Sequence, residues 1–147
     1  GERTKTGADL DIPLAGSAVA CLRELHRLAT GSEWVLPARK AQDRMLPHIH
    51  ENTLNVALSK VKVLLPDLEP FCIHDFRRTA RTHLAALGVD PHIAERCLNH
   101  KIKGIEGIYN RHDYFEERRQ ALELWAGFLE ACEGGKDWNV IPLRRAG

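Results

Sequence analysis

The stretch Ile73-His74-Asp75-Phe76-Arg77-Arg78-Thr79-Ala80-Arg81, continuing as Thr82-His83-Leu84-Ala85-Ala86-Leu87-Gly88, decides how this chain is read. Phe76, Ala80, Leu84 and Leu87 recur at the spacing of one helical face, and Gly88 stands where a helix ends. A helix over His74 to Leu87 puts His74, Arg77 and Arg81 on one side, because residues three and four apart are neighbours on a helix. At ~100° per residue they form a strip beside the apolar face, at the edge of the core. Guanidinium forks bind phosphate oxygens in pairs, and an imidazole exchanges a proton near neutral pH. Arg78 and Arg81, taken alone, read as a solvated helix face. His74 with Arg77 gains weight from the segments on either side.

Upstream of the helix, residues 2–14 read as a β-hairpin: Thr6-Gly7-Ala8-Asp9 supplies the turn, and Leu10, Ile12 and Leu14 alternate after it. Pro13 puts the second strand at an edge. Residues 17–29 are a predicted helix with Ser17 as N-cap and Val19, Leu22, Leu25 and Leu28 as its apolar stripe. Residues 33–37 are a short extended piece, and residues 38–50 a loop. A further helix is expected from Asn52 to Leu65, its inner face Leu54, Leu58, Val61 and Leu65, stopped by Pro66. Downstream, a short helix runs from Pro91 to Leu98 with proline in its first turn. Residues 105–109 suggest another helical turn, and a long helix covers Phe115 to Cys132. The fold class is mainly α with a small N-terminal β-hairpin.

The chain has 147 residues, the size of one ordinary domain, with 44% hydrophobic and 28% charged residues. A net charge of +1 excludes a strongly basic chain, so nucleic-acid binding must rest on local clusters. Cys21, Cys72, Cys97 and Cys132 form no Cys-x-x-Cys pair and read as reduced, at least partly buried thiols of an intracellular protein. No apolar run reaches the ~18 residues of a membrane span. The opening Gly-Glu-Arg-Thr-Lys-Thr-Gly reads as the start of a fragment of a longer protein.

The second decisive segment is Leu98-Asn99-His100-Lys101, then Ile108-Tyr109-Asn110-Arg111-His112-Asp113-Tyr114. His-x-x-Arg at 74 and 77, His100, and Tyr109 nine residues later stand in fixed order. This pattern resembles the tyrosine recombinases, the phage-integrase family. The wording "HDFRRTARTHLAALGV", "LNH" and "IYNRHDYFEERRQALELWAGFL" resembles integrases of phages and genomic islands, and the resemblance extends over roughly residues 2–130. Lys5, before the hairpin turn and followed by "DIPL", matches the family's catalytic lysine by context. The family's other catalytic arginine is on a helix upstream of the hairpin, and Arg3 does not fill that role by position. The fragment alone is therefore expected to be inactive or impaired.

The resemblance implies the fold of the family's catalytic domain for residues 1–132, with 133–147 as a tail that is partly flexible or packs in trans. Trp138 to Leu143 serve equally for a neighbouring protomer or for the chain's own domain. It also implies DNA strand transfer through a 3′-phosphotyrosine, with no cofactor and no metal. Tyr109 is the implied nucleophile, His74 the general base, Arg77 and His100 the phosphate ligands, and Lys5 the acid for the leaving 5′-oxygen. Arg78, Arg81, Lys101 and Arg111 are the candidate DNA contacts. Partners implied are duplex DNA attachment sites, a homotetramer on DNA, and accessory DNA-bending proteins, with no membrane and a cytoplasmic location.

Several residues carry a plainer reading. Tyr114 is a rival nucleophile, disfavoured by its spacing from His100. His48 and His50 have metal-ligand spacing but no third ligand. His26, His83, His92 and His112 have no evident partner. Trp125 reads as core packing, and Glu116, Glu117, Arg118 and Arg119 as a solvated face with local ion pairs. The alternatives to a recombinase are a type IB topoisomerase, which shares the constellation, and a non-catalytic DNA-binding remnant. A helix-turn-helix regulator leaves Tyr109 and the His-x-x-Arg pair unexplained.

Overall fold

The computed structural model describes residues 11–38, 46–100 and 112–138. Among the described residues five helices follow in order: α1 (Gly16–Leu28), α2 (Thr53–Lys62), α3 (Ile73–Ala86), α4 (Pro91–Cys97) and α5 (Phe115–Glu133). Among the described residues there is no strand, only an antiparallel bridge between Pro37 and His48. Of the hairpin expected over residues 2–14, residues 2–10 lie outside the described residues. Asp11 to Leu14 carry no strand. Pro13 has no N–H to donate to a ladder, and the Asp11 carbonyl accepts from Arg118 Nη1 at 2.9 Å. Among the described residues no helix is long and apolar enough to cross a membrane.

The chain divides into two compact units, Ser17–Arg78 and Gly1–Gly16 with Thr79–Gly147. In the first, α1 and α2 bury none of their residues. Leu54 is 52% exposed, so the apolar face expected for α2 is present but largely uncovered. Residues 36–38 and 47–49 approach as a short antiparallel pair, Ala38 N donating to Pro47 O and Ile49 N to Leu36 O. The Trp34 and His48 rings meet at 4.8 Å. The start of α3 is capped from within: Asp75 Oδ2 accepts from the Cys72 N–H at 2.8 Å, three residues back, as a first-turn carboxylate does in a capping box.

The core of the second unit is Leu84, Ala94 and Ala121, with Val89, Ile93, Cys97 and Trp125 packed against it. Ala94 on α4 and Ala121 on α5 are small enough for these two helices to pack directly on one another. His83 stacks on Trp125 at 5.7 Å and on Phe128 at 4.8 Å. Past the end of α5, Trp138 meets the edge of Phe128 at 6.3 Å and covers Gly127, where an added Cβ would stand 3.1 Å from the indole.

Three of the described helices end in one way. After α3, Gly88 adopts φ 81°, Val89 N donates to Leu84 O and Gly88 N to Ala85 O. That is the paired bonding of a Schellman turn, which satisfies carbonyls a helix end leaves open. α5 repeats it, with Gly135 in the left-handed region and Lys136 N on Ala131 O. α4 repeats it with asparagine in the left-handed position, directly before His100.

Candidate active site

α4 is short, and both ends are specified. Asp90 is its N-cap, accepting from His92 N at 2.8 Å, and Pro91 opens the first turn with φ preset for a helix. At its far end Asn99 takes φ 50°, a conformation asparagine tolerates better than other residues with a side chain. Asn99 N then donates to Arg96 O, and His100 N to Glu95 O at 3.0 Å. His100 is thus fixed by the turn itself, at the first residue past the left-handed one.

The His100 side chain is held as well. Nδ1 meets Glu95 Oε2 at 2.5 Å, while the other carboxylate oxygen, Oε1, accepts from Arg81 Nε at 2.7 Å. The Arg81 guanidinium, and then His100, hold the Glu95 carboxyl below the usual carboxylate range. An ionised carboxylate has no hydrogen to give, so Nδ1 carries the proton in this contact. The His100 side chain remains 42% exposed, open enough to meet a phosphate. Arg81, expected on a solvated face, is instead only 29% exposed and bonded into α4.

α3 forms where the sequence put it and carries His74, Arg77 and Arg78. His74 is exposed and Arg77 half-buried. Arg78 reaches back to Asp75 Oδ1 at 3.1 Å, with its side chain 74% exposed. The Asp75 carboxyl is lowered, first by the Cys72 thiol and backbone N–H and then by Arg78.

Lys5, Lys101, Tyr109 and Arg111 lie outside the described residues, as does the helical turn expected over 105–109. Tyr114, the rival nucleophile, is described. It takes φ 53° immediately before α5. Its ring meets His112 at 4.5 Å and His92 at 5.1 Å, both edge-on, and the Arg96 guanidinium lies over it at 4.9 Å. Arg96 Nε in turn donates to His92 Nε2 at 2.7 Å. Tyr114 is therefore built into a cation–aromatic cluster that seats the start of α5.

Directly after this cluster comes Arg118, 2% exposed. It bonds Asp113 Oδ1 through Nη2 at 2.5 Å, Asp113 O through Nε at 3.1 Å and Asp11 O through Nη1. The sequence pattern sets it with its neighbours on a solvated face, yet it is the one buried charged side chain among the described residues. Glu116 and Arg119 do form the expected exposed pair, Arg119 Nη2 donating to Glu116 Oε1 at 2.6 Å. Cys21, Cys72 and Cys132 are exposed, against the expectation of burial, and only Cys97 is partly buried. Among the described residues no group of three histidine, cysteine or acidic side chains is arranged to hold a metal ion.

Sequence reasoning missed Glu95 and Arg96. The signal available for Glu95 was an acidic residue five before His100, with no way to pair it to an arginine fourteen residues upstream.

The chain is similar to known proteins. Residues 2–116 match the family described as the Phage integrase family, and that span contains Lys5, His74, Arg77, His100 and Tyr109. Prophage integrase IntA of Escherichia coli (strain K12) is 31% identical over 137 residues, or 90% of this chain. The chain spans 31% of the length of that curated relative. No solved structure matches.

Proposed function

The chain belongs to the phage integrase family of tyrosine recombinases, and on that premise we propose that it supplies the nucleophile-bearing part of a site-specific DNA recombinase. The observation that carries this reading is the pair of pre-set helices. α3 forms as the helix that spaces His74 and Arg77 within one turn, and α4 ends in a turn that fixes His100 by backbone and ring together.

In this proposal Tyr109 Oη bonds to the scissile phosphorus as the bond to the 5′-oxygen breaks. The phenol, with an ordinary pKa of ~10, passes its proton to His74. Arg77 and His100 take the non-bridging oxygens, where charge grows in the transition state. Lys5 gives a proton to the departing 5′-oxygen. The 3′-phosphotyrosine keeps the phosphodiester's energy, and a 5′-hydroxyl from the partner strand reverses the step. Arg78, Lys101 and Arg111 contact DNA phosphates beside the site. Arg81 belongs to the same basic set but acts through Glu95. Partners are duplex attachment sites, three further copies of the protein, and accessory proteins that bend DNA. Because phosphate contacts dominate, affinity should fall steeply with salt.

The test is covalent trapping. The full-length protein containing this chain is incubated with a nicked suicide duplex carrying its attachment site, and protein–DNA adducts are resolved in SDS. An adduct that disappears in Tyr109→Phe, with DNA binding retained, is the expected result. Specific binding with no adduct from the wild type would replace the recombinase by a non-catalytic DNA-binding remnant. An adduct lost in Tyr114→Phe but kept in Tyr109→Phe would move the nucleophile.

A further inference from the structure

We propose that Glu95 is the positioning residue of His100: its carboxylate, anchored by Arg81, fixes the imidazole through Nδ1 and presents Nε2 as the nitrogen that meets the phosphate. The inference rests on the reading of His100 as a phosphate ligand.

The geometry is over-determined. Glu95 holds His100 twice, by its main-chain carbonyl at 3.0 Å and by Oε2 at 2.5 Å. Its remaining oxygen, Oε1, is held by Arg81 at 2.7 Å. The carboxylate cannot rotate to improve one of these contacts without losing the other. A histidine ring on the surface otherwise turns freely about its side-chain bonds and samples both nitrogens, and pinning Nδ1 removes that freedom before substrate arrives. A ring that donates from Nε2 to a phosphate while Nδ1–H bonds Glu95 carries two protons, and Glu95 is its counter-charge. Arg81 supplies the balancing positive charge on the other side of the carboxylate. The plain alternative is an ordinary half-exposed ion pair between α3 and α4, which contributes little to stability and nothing to the ring.

Two measurements separate these readings. The first is single-turnover cleavage of the suicide duplex by the full-length protein. His100→Ala should slow cleavage about a hundredfold, the scale of one lost transition-state donor. Glu95→Ala should slow it roughly tenfold with DNA affinity unchanged, and Glu95→Gln, which keeps an acceptor but not the charge, should lie between Glu95→Ala and wild type. The double variant should be no slower than His100→Ala, because a residue acting through another adds nothing once that other is gone. Multiplying losses in the double variant would overturn the proposal.

The second measurement needs no activity: the ring ¹⁵N resonances of His100, assigned in this chain. Wild type should show a proton-bearing Nδ1, and Glu95→Ala should lose that signature. Unchanged ring resonances would overturn the positioning role, even in a variant that cleaves slowly. Absence of any adduct in the wild type would instead count against the recombinase reading, and the resonances would still decide the Glu95–His100 pair.

Discussion

Asp113 looks like a surface residue, and its replacement should cost far more than a surface residue does. Its side chain is 57% exposed, but its partner Arg118 is 2% exposed. Asp113→Ala leaves a guanidinium in the protein interior whose remaining partners, among the described residues, are the carbonyls of Asp113 and Asp11 and the Phe115 ring, 5.7 Å away. Removing one partner of a fully buried ion pair costs about 3–5 kcal/mol. Here one end of the pair touches water, which screens it, so roughly 2–3 kcal/mol is expected. Ordinary surface substitutions stay within ~0.5 kcal/mol. The reverse change differs in kind. Arg118→Met removes the charge itself and leaves an exposed carboxylate that water accepts, at the cost of hydrogen bonds worth about 1 kcal/mol each. The double variant should therefore be more stable than Asp113→Ala alone. Urea unfolding at unchanged m-value measures both. A loss below ~0.5 kcal/mol in Asp113→Ala, or a double variant less stable than either single one, would refute the reasoning.

Other consequences can be checked as directly. Asn99→Gly should be tolerated or mildly stabilising, whereas Asn99→Val should cost roughly 1–2 kcal/mol, because the left-handed position that precedes His100 suits glycine and opposes a branched side chain; thermal melts of the two variants compare them. The Glu116 carboxyl is lowered from 4.5 to about 2 by Arg119 and then Gln120. A depressed folded-state value means that its stabilisation is present above pH 4.5 and is lost as the pH falls toward 2. Glu116→Gln should flatten the acid limb of a stability–pH curve in that window and leave the neutral region alone. Burial raises the Cys97 thiol, so a thiol reagent at neutral pH should label Cys21, Cys72 and Cys132 first and Cys97 slowly, with equal rates for all four as the contrary result.

Helix boundaries in the second half of the chain were legible because each carries its own punctuation. Gly88 ends α3, Asp90 and Pro91 open α4, and Gly135 closes α5, each through local backbone chemistry that needs no tertiary partner. α2 lacks such a stop. It ends at Lys62, short of the Leu65 expected from Pro66, and residues 63–65 close in turns, Leu64 N on Val61 O and Leu65 N on Lys62 O. Periodicity also marked apolar faces without saying what covers them. Leu84 and Leu87 of the predicted α3 stripe are buried, but Phe76 on the same stripe is 53% exposed and meets Phe71 edge-on. At the site, single residues were visible and pairs were not. His100 stands out in the sequence by its spacing from Tyr109. Its tie to Glu95 lies in the turn that ends α4, but the anchoring of Glu95 by Arg81 depends on how α3 and α4 meet, and the burial of Arg118 and the seating of Tyr114 by His92 and Arg96 on how α4 and α5 meet, which no local pattern encodes.

The brevity of α4 has a consequence for behaviour on heating. A helix of seven residues does not persist alone in water. It endures here because Ala94, with 0% exposure, is pressed against Leu84 and Ala121. Opening that one seam would fray the helix and release His100 while α5 stays folded, a sub-global excursion of lower free energy than complete unfolding. On the role proposed for His100, DNA cleavage by the full-length protein should then fade at temperatures where circular dichroism still reports most of the native helix. In amide exchange, the His100 N–H bonded to Glu95 O should exchange sooner than amides in the middle of α5.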